Sequence, residues 1–154
     1  MTTLLSASPN IDEELLNGVT QIDLSMVRAK LMDPEEGSGW TMAHAQRVEI
    51  EYRRYLALAR RYPSRAVVPS KIVDTFWHYH ILDTQAYAKD CELAFGYFLH
   101  HFPYFGMRGD DDKRALDEAY DETLHLYEDH FGTPPADIWV RSGMARCPKC
   151  GRAS

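Results

Sequence analysis

The sequence has few cysteines and no long apolar run. Its 154 residues include three cysteines, and this odd number argues against a disulfide framework. No apolar stretch reaches the roughly 18 residues that a membrane-spanning helix needs, so we expect no membrane segment. The first residues, MTTLLSASPN, lack the basic and apolar regions of a signal peptide. We therefore expect a cytoplasmic protein whose thiols stay reduced.

The sequence also lacks an excess of basic charge and the short motifs of several enzyme classes. The formal net charge is −6, whereas nucleic-acid binders usually carry a basic face. Nucleic acid is therefore not an expected partner, and RNA binding by the arginine-containing stretch 53–65 is the weakest hypothesis. The serine-nucleophile, phosphate-loop and dinucleotide motifs are absent. A function must therefore be sought in another group of residues.

Strand-like alternation is absent, whereas helical periodicity recurs along the chain. Hydrophobic residues make up 45% of the sequence, which suffices for one buried core at this length. We predict an all-α protein, a compact bundle of about five helices. Apolar spacings of three and four place them at 22–32, 41–62, 71–82, 85–100 and 112–130. The predicted organisation is a loosely ordered arm over 1–20, a helical domain over 21–138 and a flexible tail over 139–154.

Capping residues and prolines mark the predicted helix ends. Thr41 and Ser70 are of the N-cap type, and Pro63 ends the helix that starts after Thr41. Asp83-Thr84 predicts a break after the helix 71–82 and a new N-cap for the helix that follows. Gly96 lies in the middle of the predicted helix 85–100 and weakens it there.

Four of the seven histidines occur as two close pairs within residues 73–106. Histidine is the commonest metal ligand in proteins, and core packing alone does not explain such a concentration. We predict a metal site between two helices, suited to zinc or non-haem iron(II). Its candidate ligands are His78, His80, His100, His101, Asp74, Asp83 and Asp90.

Helix geometry limits how the first pair can act. Residues two apart on a helix point about 200° away from each other, so His78 and His80 cannot both chelate from a regular helix. They could do so if the helix unwinds just before Asp83. Asp74 lies four residues before His78 and shares its face, where it could accept the second ring N–H.

The length of the predicted helix limits how the second pair, His100 and His101, can act. Asp90 and His101 share a helix face if that helix continues past Gly96. In that case His80 and His101 would lie roughly 25 Å apart at ~1.5 Å per residue. One metal ion could join His101, or His100, to the first pair only if the chain turns back at Gly96, or if the helices run so that the end with His100 and His101 folds over.

The alternative hypothesis is a non-enzymatic interaction module. In this case the histidines and Asp74 form buried hydrogen bonds, and the loop Phe102–Phe105 presents a surface to an unknown protein or small molecule. If the site is instead catalytic, its metal would activate water or dioxygen, and no substrate can be assigned.

The tail motif Cys147-x-x-Cys150 has the shape of half a zinc knuckle, but a structural zinc needs four ligands.

A family resemblance appears around the first histidine pair. The residues concerned are Val73-Asp74, Trp77-His78-Tyr79-His80, Asp83-Thr84, Tyr87, Asp90-Cys91 and Phe95-Gly96. Over roughly 40–106 the chain resembles the domain of the glycine-rich domain-containing proteins and their bacterial relatives. The resemblance implies that these residues belong to a shared pattern, and it implies no particular activity. With only nine glycines, the chain lacks the glycine-rich extension of the plant members, so their RNA-related roles are not expected here.

Overall fold

Five helices and no strand make up the part of the chain that the structure describes. The structure is a computed structural model and describes residues 12–140. The helices are α1 (Ser25–Met32), α2 (Met42–Arg61), α3 (Lys71–Leu82), α4 (Thr84–Phe95) and α5 (Asp110–Phe131). The all-α prediction with about five helices is confirmed. None of the helices in this range is long and apolar enough to cross a membrane.

Local sequence signals explain most helix boundaries. The side chains of Thr41 and Ser70 accept backbone N–H groups in the first turns of α2 and α3, as their residue types predict. Helix α2 stops two residues before Pro63. Asp83 follows the last residue of α3 and caps α4 through its side chain. These caps separate α3 and α4 into a tight helical hairpin.

The prediction that the fourth helix continues to His100 was wrong. Helix α4 ends at Phe95, and Gly96 takes a left-handed conformation with φ 78°. Its N–H bonds to the carbonyl oxygens of Cys91 and Glu92. Glycine adopts this φ without the steric cost that a Cβ imposes. The chain therefore leaves the helix axis at Gly96, and the residues after it return towards α3.

The core lies between α2 and α3, with α1 and α5 packed on α2 and with α4 packed on α3. Several of its largest fully buried side chains are tyrosines whose hydroxyl groups need partners away from water. The Tyr52 hydroxyl bonds to His80, and that of Tyr127 donates to Glu51. The core is therefore crossed by polar contacts that join different helices.

Residues near both ends of the described range pack against the helices. Val19 and Trp139 are 0% and 1% exposed, and the Trp139 Nε1–H donates to the Glu51 carboxylate at 2.9 Å. The described chain thus stays in the core up to Trp139, where the tail was predicted to begin. The motif Cys147-x-x-Cys150 lies outside the described residues, and its role stays a prediction.

Candidate metal centre

Asp74, His78 and His101 form a group that could hold a metal ion. Each offers one ligand atom, and the three atoms lie within 4.8 Å of one another. Asp74 and His78 are one turn apart on α3, so they share a face as predicted. His101 comes from the loop after α4. Within residues 12–140, no other group of three such side chains converges in this way.

The carboxylate of Asp74 already interacts with His101. Their closest atoms, Asp74 Oδ1 and His101 Nε2, are 2.8 Å apart. Asp74 is only 4% exposed, and a carboxylate this buried requires a hydrogen-bond donor or a cation. In the absence of an ion, the imidazole N–H fills that role. A bound cation would take the place of the proton between the two side chains.

The surroundings of His78 favour its neutral form. Burial lowers the pKa of His78, and nearby His101 lowers it further, while Asp74 acts in the opposite direction. A neutral imidazole is the form that binds metal ions. The His78 and His101 rings also stack, with centroids 5.2 Å apart. The three side chains thus lie side by side, and the neutral imidazole of His78 is one of the available donors.

Hydrogen bonds from the helical hairpin fix the loop that carries His101. Trp77 Nε1–H donates to the Tyr87 hydroxyl at 2.9 Å, and this hydroxyl donates to the Leu99 carbonyl oxygen at 2.5 Å. The Leu99 N–H bonds to Cys91 Sγ at 3.4 Å. Both backbone groups of Leu99 are therefore held, two residues before His101. Burial raises the pKa of the Cys91 thiol, which keeps it protonated and poorly suited to bind a metal itself.

His80 and Asp90 do not join this group. His80 is 1% exposed, and its two ring nitrogens are taken up by Tyr52 and Asp90. The distances are 2.7 Å from Nδ1 to the Tyr52 hydroxyl and 2.7 Å from Nε2 to Asp90 Oδ2. Because α3 stays regular as far as Leu82, His80 points away from His78. It belongs to a buried network that joins α2, α3 and α4.

The last two candidate residues also lie apart from the group. His100 is exposed, and its ring packs on Phe98 with centroids 4.8 Å apart. Asp83 is exposed and caps α4 by accepting the Ala86 N–H at 3.4 Å. Of the seven candidates, the structure therefore brings together Asp74, His78 and His101.

A cavity of about 390 Å³ borders the group. Asp74 and His101 are part of its wall, together with residues from α2, the 63–69 connector and the loop after Gly96. The aromatic side chains in this wall, apart from histidine, are Tyr55, Tyr62, Trp77, Tyr97, Phe102 and Phe105. Cavities of this size are typical of small-molecule sites. An ion held by Asp74 and His101 would therefore lie beside a space that can admit a small ligand.

The sequence analysis missed a buried acid on α2. Glu51 is 4% exposed and accepts hydrogen bonds from Tyr127 at 2.6 Å and Trp139 at 2.9 Å. The signal was its position, three residues after Val48 and four before Tyr55, which places the acid on the apolar stripe of α2. This network stabilises the packing of α5 and the following segment, away from the cavity.

One of the comparisons with known proteins, the one with family models, finds a match. The sequence model of the UCP032817-like family matches residues 25–123, from the start of α1 into α5. The searches of curated proteins and of solved structures return no match. The predicted resemblance to the glycine-rich domain-containing proteins is wrong, since the family that matches is a different one. A short Trp-His-x-His segment holds too few residues to separate one helical family from another.

Proposed function

We propose that this chain, which belongs to the UCP032817-like family, binds one divalent metal ion through Asp74, His78 and His101. The observation that carries the proposal is the convergence of their ligand atoms within 4.8 Å. Two imidazoles and one carboxylate suit zinc and iron(II). Small side-chain movements would bring the three atoms to the ~2.0–2.2 Å bond lengths of such an ion.

The position of the site supports a role in small-molecule chemistry. With three protein ligands, a bound ion would keep open positions and would supply Lewis-acid activation of water, dioxygen or a substrate oxygen. The neighbouring cavity of about 390 Å³ offers space for such a ligand. Asp74 and His101 belong both to the ligand group and to the cavity wall. The proposed function is therefore metal-dependent binding of a small molecule, and the reaction is unassigned.

A structural role for the same residues is the second candidate. It is favoured by the 2.8 Å contact of Asp74 with His101, which satisfies both groups without an ion. In that case the cluster stabilises the packing of the 97–101 loop on α3 and binds nothing. The two candidates differ in their response to metal, because only a metal site gives a stability that depends on chelator.

The test is a metal titration of protein made without a histidine tag. Cys147 and Cys150 are changed to serine in every sample, so that the tail cannot contribute thiolate ligands. Zinc, and iron(II) under anaerobic conditions, are added to apo protein, and bound metal is measured by mass spectrometry after gel filtration. We expect about one ion per chain. His78→Ala should weaken binding about tenfold or more, while the exposed His125 gives the matched control His125→Ala.

Thermal melting with and without chelator separates the two candidates. At free metal about 100 times the Kd, the ion adds about 2.7 kcal/mol to the free energy of unfolding, or roughly 5–11 °C in Tm. At the same free metal, a tenfold loss of affinity in His78→Ala should reduce this gain to about 1.4 kcal/mol, and a larger loss should reduce it further. The gain should persist in full in His125→Ala. The proposal is contradicted if the parent protein, which carries only the two cysteine changes, takes up no stoichiometric metal or melts equally with and without chelator.

A further inference from the structure

The cavity beside the metal group has walls that are mostly aromatic or aliphatic. Its aliphatic side chains are Ala59, Pro63, Ala66, Val67, Val68, Pro69, Leu99 and Leu116. Among the residues that the structure describes, Arg65 and Asp74 are the only ones of the Asp, Glu, Lys and Arg types that line the cavity. An apolar cavity of about 150 Å³ already holds benzene. The observed 390 Å³ therefore leaves room for a ring with polar substituents.

Arg65 is available to an anionic ligand. Its guanidinium carbon lies 5.4 Å from the centroid of the Tyr62 ring. Its ion-pair partner is Glu122, at an N–O distance of 3.6 Å, and the two side chains are 50% and 61% exposed. Such an exposed, long pair contributes little stability, so a carboxylate in the cavity can compete for the guanidinium. A planar guanidinium also suits a carboxylate because it donates two parallel hydrogen bonds.

We propose that the cavity binds a small aromatic carboxylate. The ring packs among the aromatic side chains, where offset and edge-to-face contacts add to the burial of apolar area. The carboxylate pairs with the guanidinium of Arg65. A second oxygen on the ring ligates the ion held by Asp74 and His101, and in this one respect the inference rests on the proposed function. A cationic ligand would be repelled by both Arg65 and the ion.

The test uses 4-hydroxybenzoate as the probe and zinc-loaded protein, with binding measured by calorimetry. Three comparison compounds each change one feature: 4-hydroxycyclohexanecarboxylate has no aromatic ring, phenol has no carboxylate, and 4-hydroxybenzylamine carries a cation in place of the carboxylate. We expect saturable binding of 4-hydroxybenzoate at one site, tighter than that of any comparison compound. Arg65→Gln should weaken it about tenfold, as loss of a charged hydrogen bond predicts. The matched control is Arg114→Gln on α5, which lies outside the cavity wall.

A second variant fills the cavity and leaves the charges in place. Ala66 is exposed and lines the cavity, so Ala66→Phe narrows the space without disturbing the core, which circular dichroism checks. It should abolish binding of the probe and leave zinc binding unchanged. Loss of the probe with retained zinc therefore supports a ligand site in the cavity.

The outcomes separate this inference from the proposed function. Zinc uptake without saturable 4-hydroxybenzoate binding overturns the inference and leaves the metal site standing. Equal affinity for 4-hydroxycyclohexanecarboxylate overturns the aromatic assignment, and equal effects of Arg65→Gln and Arg114→Gln overturn the role of Arg65. If wild type takes up no zinc, the metal site fails by itself. In that case 4-hydroxybenzoate binding that is still sensitive to Arg65→Gln would support the cavity assignment on its own.

Discussion

Replacing His80 with alanine should destabilise the protein and leave metal binding intact. His80 lies two residues from His78, and the sequence analysis named both as candidate metal ligands. In the structure His80 is 1% exposed and bonds to Tyr52 and Asp90 at 2.7 Å each. His80→Ala removes both contacts, and His78→Ala touches neither of them.

The expected loss of stability follows from these contacts. The Tyr52 hydroxyl is fully buried, and leaving it without a partner costs about 1–3 kcal/mol. The space left by the ring adds about 2 kcal/mol, the lower end for large-to-alanine changes in a core. Asp90 adds little, because its side chain is 19% exposed and water can replace the lost bond. The sum of about 3–5 kcal/mol corresponds to roughly 6–20 °C in Tm for a chain of this size.

Urea unfolding followed by circular dichroism, with chelator and with zinc, measures the effect. His80→Ala should lose the same stability in both conditions and still bind about one zinc per chain. His78→Ala should lose at least about half of the stabilisation by zinc and change little in chelator, since its side chain is only half-buried. The reasoning is refuted if His80→Ala stays within about 1 kcal/mol of wild type. It is also refuted if folded His80→Ala protein no longer takes up zinc.

Three further predictions test other parts of the fold. Gly96→Ala should lower the free energy of unfolding by about 1 kcal/mol through the left-handed φ alone, because no atom lies within 4 Å of the added Cβ. In urea unfolding, Gly96→Asn should lose less stability than Gly96→Ala, and equal losses would contradict this explanation. Glu51→Ala should cost about 3 kcal/mol, since it leaves the partly buried Arg54 without its carboxylate; a thermal midpoint close to that of wild type would argue against the buried network. The pKa of Asp112 lies below its usual value because its carboxylate accepts hydrogen bonds from the Arg108 guanidinium and from the backbone N–H groups of Gly106 and Arg108. The ionised carboxylate therefore stabilises the fold at pH values above the pKa that Asp112 has in the unfolded chain. This stabilisation is lost as the pH falls through the lower pKa of the folded protein. The stability advantage of wild type over Asp112→Asn should therefore shrink below about pH 4, and a difference that is the same at neutral and acidic pH in urea titrations would refute the assignment.

Local rules allowed the helices and part of the site to be predicted from the sequence. Thr41, Ser70 and Asp83 cap helices where their side-chain chemistry indicates, because a cap depends only on residues within one turn. Asp74 and His78 share a face for the same reason, since four residues make about one helical turn. Periodicity likewise decided the all-α class.

The tertiary structure alone decided which histidines meet. From the sequence, Gly96 could either weaken a helix or end it. Which of the two occurs depends on the contacts of Tyr87 and Cys91 with Leu99, and rules based on neighbouring residues do not predict these contacts. Ending the helix there brings His101 back to Asp74 across 27 positions of sequence. His80 is drawn instead into a bond with Tyr52 on α2. Spacing within one segment determines the direction of each side chain relative to its own helix. Only the packing of the helices and loops against one another determines which side chains come into contact.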